Sequence, residues 1–233
     1  MSVLGRALRD SVETQGAELA QEVLRRLAAA VLLADDEPEV AADHAAVARD
    51  LVPRLGPVRE LAGVSAYRAG RFEEAARDLR AARRLTGEAD LLPLIADCER
   101  ARGRPEQALV LADDPARGDL LPADRAELLL VVAGAHRDLG DPERAVAVLR
   151  PLLRVEDPTV VLRVRYALAD ALEEAGRADE AAAELALVAE ADVAGVTDAA
   201  ERLGLLEVDP GPDHGTDAEV EPEVAGDDPG SGG

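Results

Sequence analysis

A glycine-led phrase recurs four times along the chain: Gly70-Arg71-Phe72-Glu73-Glu74-Ala75, Gly103-Arg104-Pro105-Glu106-Gln107-Ala108, Gly140-Asp141-Pro142-Glu143-Arg144-Ala145 and Gly176-Arg177-Ala178-Asp179-Glu180-Ala181. The glycines lie 33, 37 and 36 residues apart. Seven residues before each stands a small residue (Gly63, Ala96, Ala133, Ala169), and nine after it stands Leu79, Ala112, Leu149 or Leu185. A fixed period of this length is the mark of a stacked repeat, in which one unit cannot bury its own apolar face. The phrase reads as the turn of a helical hairpin. Glycine ends the first helix because a left-handed residue there needs no Cβ. The acids after it suit the positive end of the next helix. The small residues let the two helices approach, and the leucines form the stripe that meets the neighbouring hairpin.

The composition supports helices and little else. Ala, Leu, Arg and Glu dominate, and these are strong helix formers. Asp141-Pro142 and Asp157-Pro158 read as N-caps followed by an N1 proline, and Thr197-Asp198 as the opening of a last short helix. The three aromatics (Tyr67, Phe72, Tyr166) are too few for an aromatic-rich sandwich or barrel, and too few for base-stacking platforms.

The spacing resembles the tetratricopeptide repeat, whose pattern has a small residue at position eight, Gly at fifteen, Ala at twenty and an aromatic or Leu at twenty-four. Gly63, Gly70, Ala75 and Leu79 fit it; so do Ala133, Gly140, Ala145 and Leu149, and Ala169, Gly176, Ala181 and Leu185. The second copy departs, because Ala112 replaces the large residue and Asp113-Asp114-Pro115 cuts its second helix short. The resemblance covers roughly Pro57 to Ala191. Three stretches, Val58 to Gly63, Arg83 to Gly87 and Ala96 to Arg100, also resemble a group of uncharacterised actinobacterial proteins of this repeat type, which implies no activity. The resemblance implies an all-α, right-handed solenoid of about four hairpins.

The expected organisation is an N-terminal extension (1–16), a helical hairpin that caps the stack (17–55, from Ala17 to Leu33 and Pro38 to Leu55), the repeat domain (56–206) and an acidic tail (207–233). The tail holds nine acids and no base among Pro and Gly, so it has little to bury and is expected to be disordered. The first nine residues lack an apolar leader, and the longest apolar run, Leu27 to Ala34, is too short to span a bilayer. A cytoplasmic location is expected. With 48 acids against 26 bases the net charge is −22, which repels nucleic acid and anionic lipid alike.

No residues assemble an expected catalytic site, metal site or cofactor site. His44, His136 and His214 are far apart and lack metal-ligand spacing. Cys98 stands between Asp97 and Glu99, which raise rather than lower a thiol pKa, so it reads as a buried filler. All 26 basic residues are Arg, so a lysine phosphate loop is impossible. The chain also lacks Asn, so it cannot build the Lys/Asn/Arg clamp with which some tetratricopeptide domains grip a chaperone's C-terminal carboxylate.

Binding is the expected role: a non-enzymatic scaffold or adaptor that docks an unidentified protein's peptide or helix in its concave groove. The register turns Val64, Tyr67, Asp97, Arg100, Gly134, Arg137, Asp170 and Glu173 to the inner face. Arg100 and Arg137 are candidate anchors for a carboxylate, unless they pair with Asp97, Asp138 or other acids of the chain itself. A second candidate is the Arg77, Arg80 and Arg84 face of the following helix, open to an acidic segment of a partner or of the tail, or simply salt-bridged. The alternative role is an acidic mimic of nucleic acid that regulates a basic partner protein.

Overall fold

The computed structural model describes residues 4–204, so the tail from Glu207 onward lies outside the described residues. Twelve α-helices and no strand occur among them. A short α1 (Arg6–Glu13) precedes a first hairpin, α2 (Ala17–Leu32) and α3 (Pro38–Leu51). Four hairpins follow: α4 (Gly56–Arg68) with α5 (Phe72–Thr86), α6 (Leu92–Ala101) with α7 (Pro105–Ala112), α8 (Pro122–Asp138) with α9 (Pro142–Leu149), and α10 (Pro158–Glu174) with α11 (Ala178–Ala191). A last turn of helix, α12 (Ala199–Arg202), packs on α11. Each hairpin packs on the next in chain order, and α3 carries the first hairpin onto α4.

The four turns are built alike. Gly70, Gly103, Gly140 and Gly176 all take the left-handed backbone, with φ of 71°, 71°, 76° and 75°. The amide after each glycine donates back across the helix end: Arg71 to Ala66 O, Arg104 to Glu99 O, Asp141 to His136 O and Arg177 to Leu172 O, at 2.8–3.0 Å. This six-to-one bond satisfies carbonyls that a helix end leaves orphaned, and only glycine adopts its φ without strain. Asp141 and Asp157 cap the helices they precede, accepting from the amide of Arg144 and from those of Thr159 and Val160.

The crossing of each hairpin lies on the small residues. Ala75, Ala108, Ala145 and Ala181 are buried, as are Ala96, Ala133 and Ala169. At Gly63 the helices come so close that a Cβ would stand 2.6 Å from Leu79 Cγ and 3.0 Å from its backbone nitrogen. Leu79, Leu149 and Leu185 fill the stripe between hairpins, each contributing about 1.5–3 kcal/mol of apolar burial. Pro115 and Pro151 end α7 and α9 after eight residues each and hand the chain to 3₁₀ turns at Pro115–Asp119 and Arg150–Arg154.

Candidate functional site

The first helices of the hairpins line one face, and along it runs an open cleft of about 570 Å³ bordered by α4, α6, α8 and α10. Its floor is apolar: Pro93 and Leu94 from α6, Leu130 and Val131 from α8, Leu162 and Tyr166 from α10. These side chains are half-buried, so each is packed on one side and open on the other. Pro93, Leu130 and Tyr166 all stand ten residues before their turn glycine, and Leu94 and Val131 nine before theirs. The repeat that stacks the hairpins therefore also aligns the floor.

Nearer the turns, the same face carries a ladder of polar bonds between successive repeats. The residue three before each turn glycine reaches the next repeat. Tyr67 Oη donates to Asp97 Oδ2 at 2.5 Å. Arg100 lies against Gly134, where a Cβ would come within 3.2 Å of its guanidinium, and bonds Asp97 at 3.2 Å and Asp138 at 3.3 Å. Arg137 bonds Asp170 at 3.2 Å and grips Glu174 with two nitrogens at 2.7 and 3.0 Å. Arg202 of α12 closes the ladder on Asp170 and Glu173, at 2.8 and 2.7 Å, and stacks 5.4 Å over the Tyr166 ring.

The charges reflect these bonds. The bidentate bond from Arg137 holds the Glu174 carboxyl below its ordinary range, and Glu174 in turn raises the guanidinium. Burial, then the bond to Asp97, pushes the Tyr67 phenol above its usual range. Tyr67 also packs edge-on to Phe72, with ring centroids 5.7 Å apart. Of the sequence-derived binding candidates, Tyr67, Asp97, Arg100 and Arg137 all line this one cleft. Both arginines spend their donors on the chain's own carboxylates.

The other candidate face is divided among bonds. Arg77 meets Glu74 at 3.4 Å, Arg80 meets the buried Glu99 at 2.7 Å and Arg83 grips Asp114 with two nitrogens. Arg84 is exposed and has no ion-pair partner among the described residues. Two carboxylates are buried under such arginines. Asp78 of α5 is held by Arg49 of α3 at 2.7 Å and by Arg59 of α4. Glu99 of α6 is held by Arg80 and, at 2.8 Å, by Arg102.

The sequence reading did not name the apolar floor or Arg202. The floor is found by extending the inner register one turn further from the glycine. Arg202 lies past the last repeat and has no register to betray it. Cys98 is fully buried, and burial first, then Asp97 and Glu99, pushes its thiol up to about 12, so it is no nucleophile at neutral pH. Among the described residues no cluster of His, Cys, Asp and Glu could hold a metal ion, and no helix is long and apolar enough to cross a membrane.

No family model and no curated protein matches the chain. Among solved structures, it resembles a thermophilic TPR protein of Thermus thermophilus with a TM-score of 0.60 at 22% identity, over 78% of this chain and 97% of that one. In fold, the chain is an all-α solenoid of tetratricopeptide type.

Proposed function

We propose that the chain is a non-enzymatic scaffold that holds a partner's peptide or helix in its concave groove. The observation that carries this is the cleft itself: a half-exposed apolar floor drawn from three successive hairpins, set in register and left uncovered by any described segment. Apolar surface kept open along a rigid stack is a ready docking groove for a helix or extended segment. The polar ladder keeps the hairpins at a fixed spacing, so the groove needs little reordering when it binds. In this reading residues 17–55 cap the stack, 56–206 form the binding array and the tail from 207 to 233 serves solubility in the cytoplasm. The kinship to actinobacterial proteins of this repeat type belongs to the same reading and adds no activity.

The acidic-mimic reading draws on the net charge of −22. It is the less favoured, because so many of the carboxylates on the concave face are neutralised by arginines rather than set out free. The test is a random-peptide display selection on the full chain, counter-screened with Leu162→Gln and Val131→Gln. Peptides that bind the native chain and lose both variants are expected. Enriched peptides indifferent to both substitutions would sink the groove.

A further inference from the structure

The groove's two long edges differ in charge. Along the turn edge, Arg100 is shared between Asp97 and Asp138, and Arg137 between Asp170 and Glu174, so the cations are already matched. An acidic ligand entering there would have to break bonds the chain makes to itself. Along the opposite edge, at the starts of the first helices, Glu60, Glu88, Asp90 and Asp124 have no ion-pair partner among the described residues. Asp90 and Asp124 border the cleft, and Glu60 holds the register position of Pro93, Leu130 and Tyr166. Burial pushes the Glu60 carboxyl up, and the neighbouring charges of Glu88 and Asp90 push it the same way.

We propose that the groove takes a cationic amphipathic segment of its partner, its apolar stripe laid on Leu94, Leu130, Val131 and Leu162 and its Arg or Lys side chains along the Asp90–Asp124 edge. This rests on the groove reading above and names the chemistry of its occupant. Glu88 and Asp90 repel Glu60 at that end, so a cation brought among them relieves a cost the free protein carries. The net charge of −22 adds long-range attraction for a basic segment. It also rules out the chain's own tail as occupant, since nine acids and no base would meet like charge.

The experiment uses the full chain and three labelled helical peptides of about 18 residues with one shared apolar stripe. Their polar faces are all Arg and Lys, all Gln, or all Glu, and binding is read by anisotropy at about 50 and 300 mM salt. The cationic peptide is expected to bind about tenfold tighter than the Gln peptide, with most of that advantage lost at the higher salt. Asp90→Asn/Asp124→Asn should cost the cationic peptide several-fold and leave the Gln peptide unchanged, and Leu162→Gln should weaken both. The double substitution breaks no ion pair, so loss of fold is not expected to confuse the result; circular dichroism checks this. Equal binding of the cationic and Gln peptides, or preference for the Glu peptide, overturns the charge assignment while leaving the groove reading standing. Cationic binding that ignores all three substitutions places it elsewhere on the acidic surface and overturns the site. Failure of all three peptides overturns the proposal as well. Self-association that the same substitutions abolish would give the groove to a second copy and do likewise.

Discussion

The outer hairpins, α4/α5 and α10/α11, solve one packing problem with charge, and the inner hairpins, α6/α7 and α8/α9, solve it with oil. Eleven residues before the turn glycine and eight after it, the helices of each hairpin meet. In the outer hairpins the meeting pairs are Arg59 with Asp78 and Arg165 with Glu184. In the inner ones the same positions hold Leu92 and Leu111, and Leu129 and Val148, each two within one apolar cluster. The second helices differ in step: 15 and 14 residues outside, eight and eight inside. What all four share is the left-handed glycine, the small residue before it and the alanine after it. The shared residues therefore specify the hairpin, and the pair between its helices is interchangeable chemistry. An ion pair there fixes geometry at a desolvation cost, whereas leucines stabilise without that cost.

The comparison breaks most visibly at Asp78. Its carboxylate is fully buried and holds Arg49 and Arg59, so Asp78→Ala takes the shared carboxylate from two partly buried guanidinium groups and should cost about 3 kcal/mol. Arg59→Leu/Asp78→Leu installs the inner pair in an outer hairpin and should recover more than half of that loss, with Arg49 still held by Glu74 at 2.7 Å. Urea unfolding of the three proteins decides it. A double variant no better than Asp78→Ala would show that the two chemistries are not interchangeable.

The shared residues should tolerate less. Ala145→Leu pushes three carbons into a crossing with no free space, and Gly176→Ala puts a Cβ on a left-handed residue; each should cost about 1–3 kcal/mol. Since both sit in the hairpin framework, the cost should be alike whichever hairpin is chosen. Denaturant midpoints left unmoved by Ala145→Leu and by its outer counterpart Ala181→Leu would refute the register.

Those framework residues were legible because each obeys a local rule: a helix end needs a left-handed residue, a crossing needs a small one. The concave face was legible for the same reason, since Tyr67, Asp97, Arg100 and Arg137 follow from helical period counted back from the glycine. The Arg77, Arg80 and Arg84 face was only half legible. Its period is right, but which arginine stays free depends on which element packs over it. Arg80 reaches forward to Glu99 of the next hairpin, and Arg49 reaches Asp78 from the hairpin before. Such bonds join different hairpins, and no period within one helix encodes them. The floor of the groove was missed because Pro93, Leu130 and Tyr166 share a position but no chemical type.

Cys98 gives a way to time the two classes of hairpin. It is fully buried in α6, and its thiol, pushed up to about 12, reacts only when the hairpin opens. Hairpin α6/α7 has the short second helix and Ala112 where its neighbours hold leucine. In a stack with nearest-neighbour coupling, that hairpin should open before the whole. Labelling by a disulfide reagent at pH 8 should therefore report an opening free energy about 1–2 kcal/mol below global unfolding. A value equal to the global one would mean that inner and outer hairpins open together.

The smallest expected effect lies at Glu60, the one charged residue in a register that is Pro93, Leu130 and Tyr166 elsewhere. Burial, then Glu88 and Asp90, raises its carboxyl above the unfolded value near 4.3. A raised acid is penalised in the folded state only while ionised. The penalty is thus fully present at neutral pH and fades as pH falls through the folded pKa towards the unfolded one. The group is partly open to water, which screens the repulsion, so Glu60→Gln should stabilise the chain by only about a few tenths of a kcal/mol at pH 7. The gain should shrink to nothing by about pH 4. Bonded carboxylates such as Glu174 and Asp114, lowered by Arg137 and Arg83, act in the opposite sense and weaken the whole fold in acid. For that reason the measurement is the difference in melting temperature between variant and native chain across pH, in which the common acid loss cancels. A difference that is zero at neutral pH, or that grows as pH falls, would show that Glu60 carries no unrelieved repulsion or burial cost.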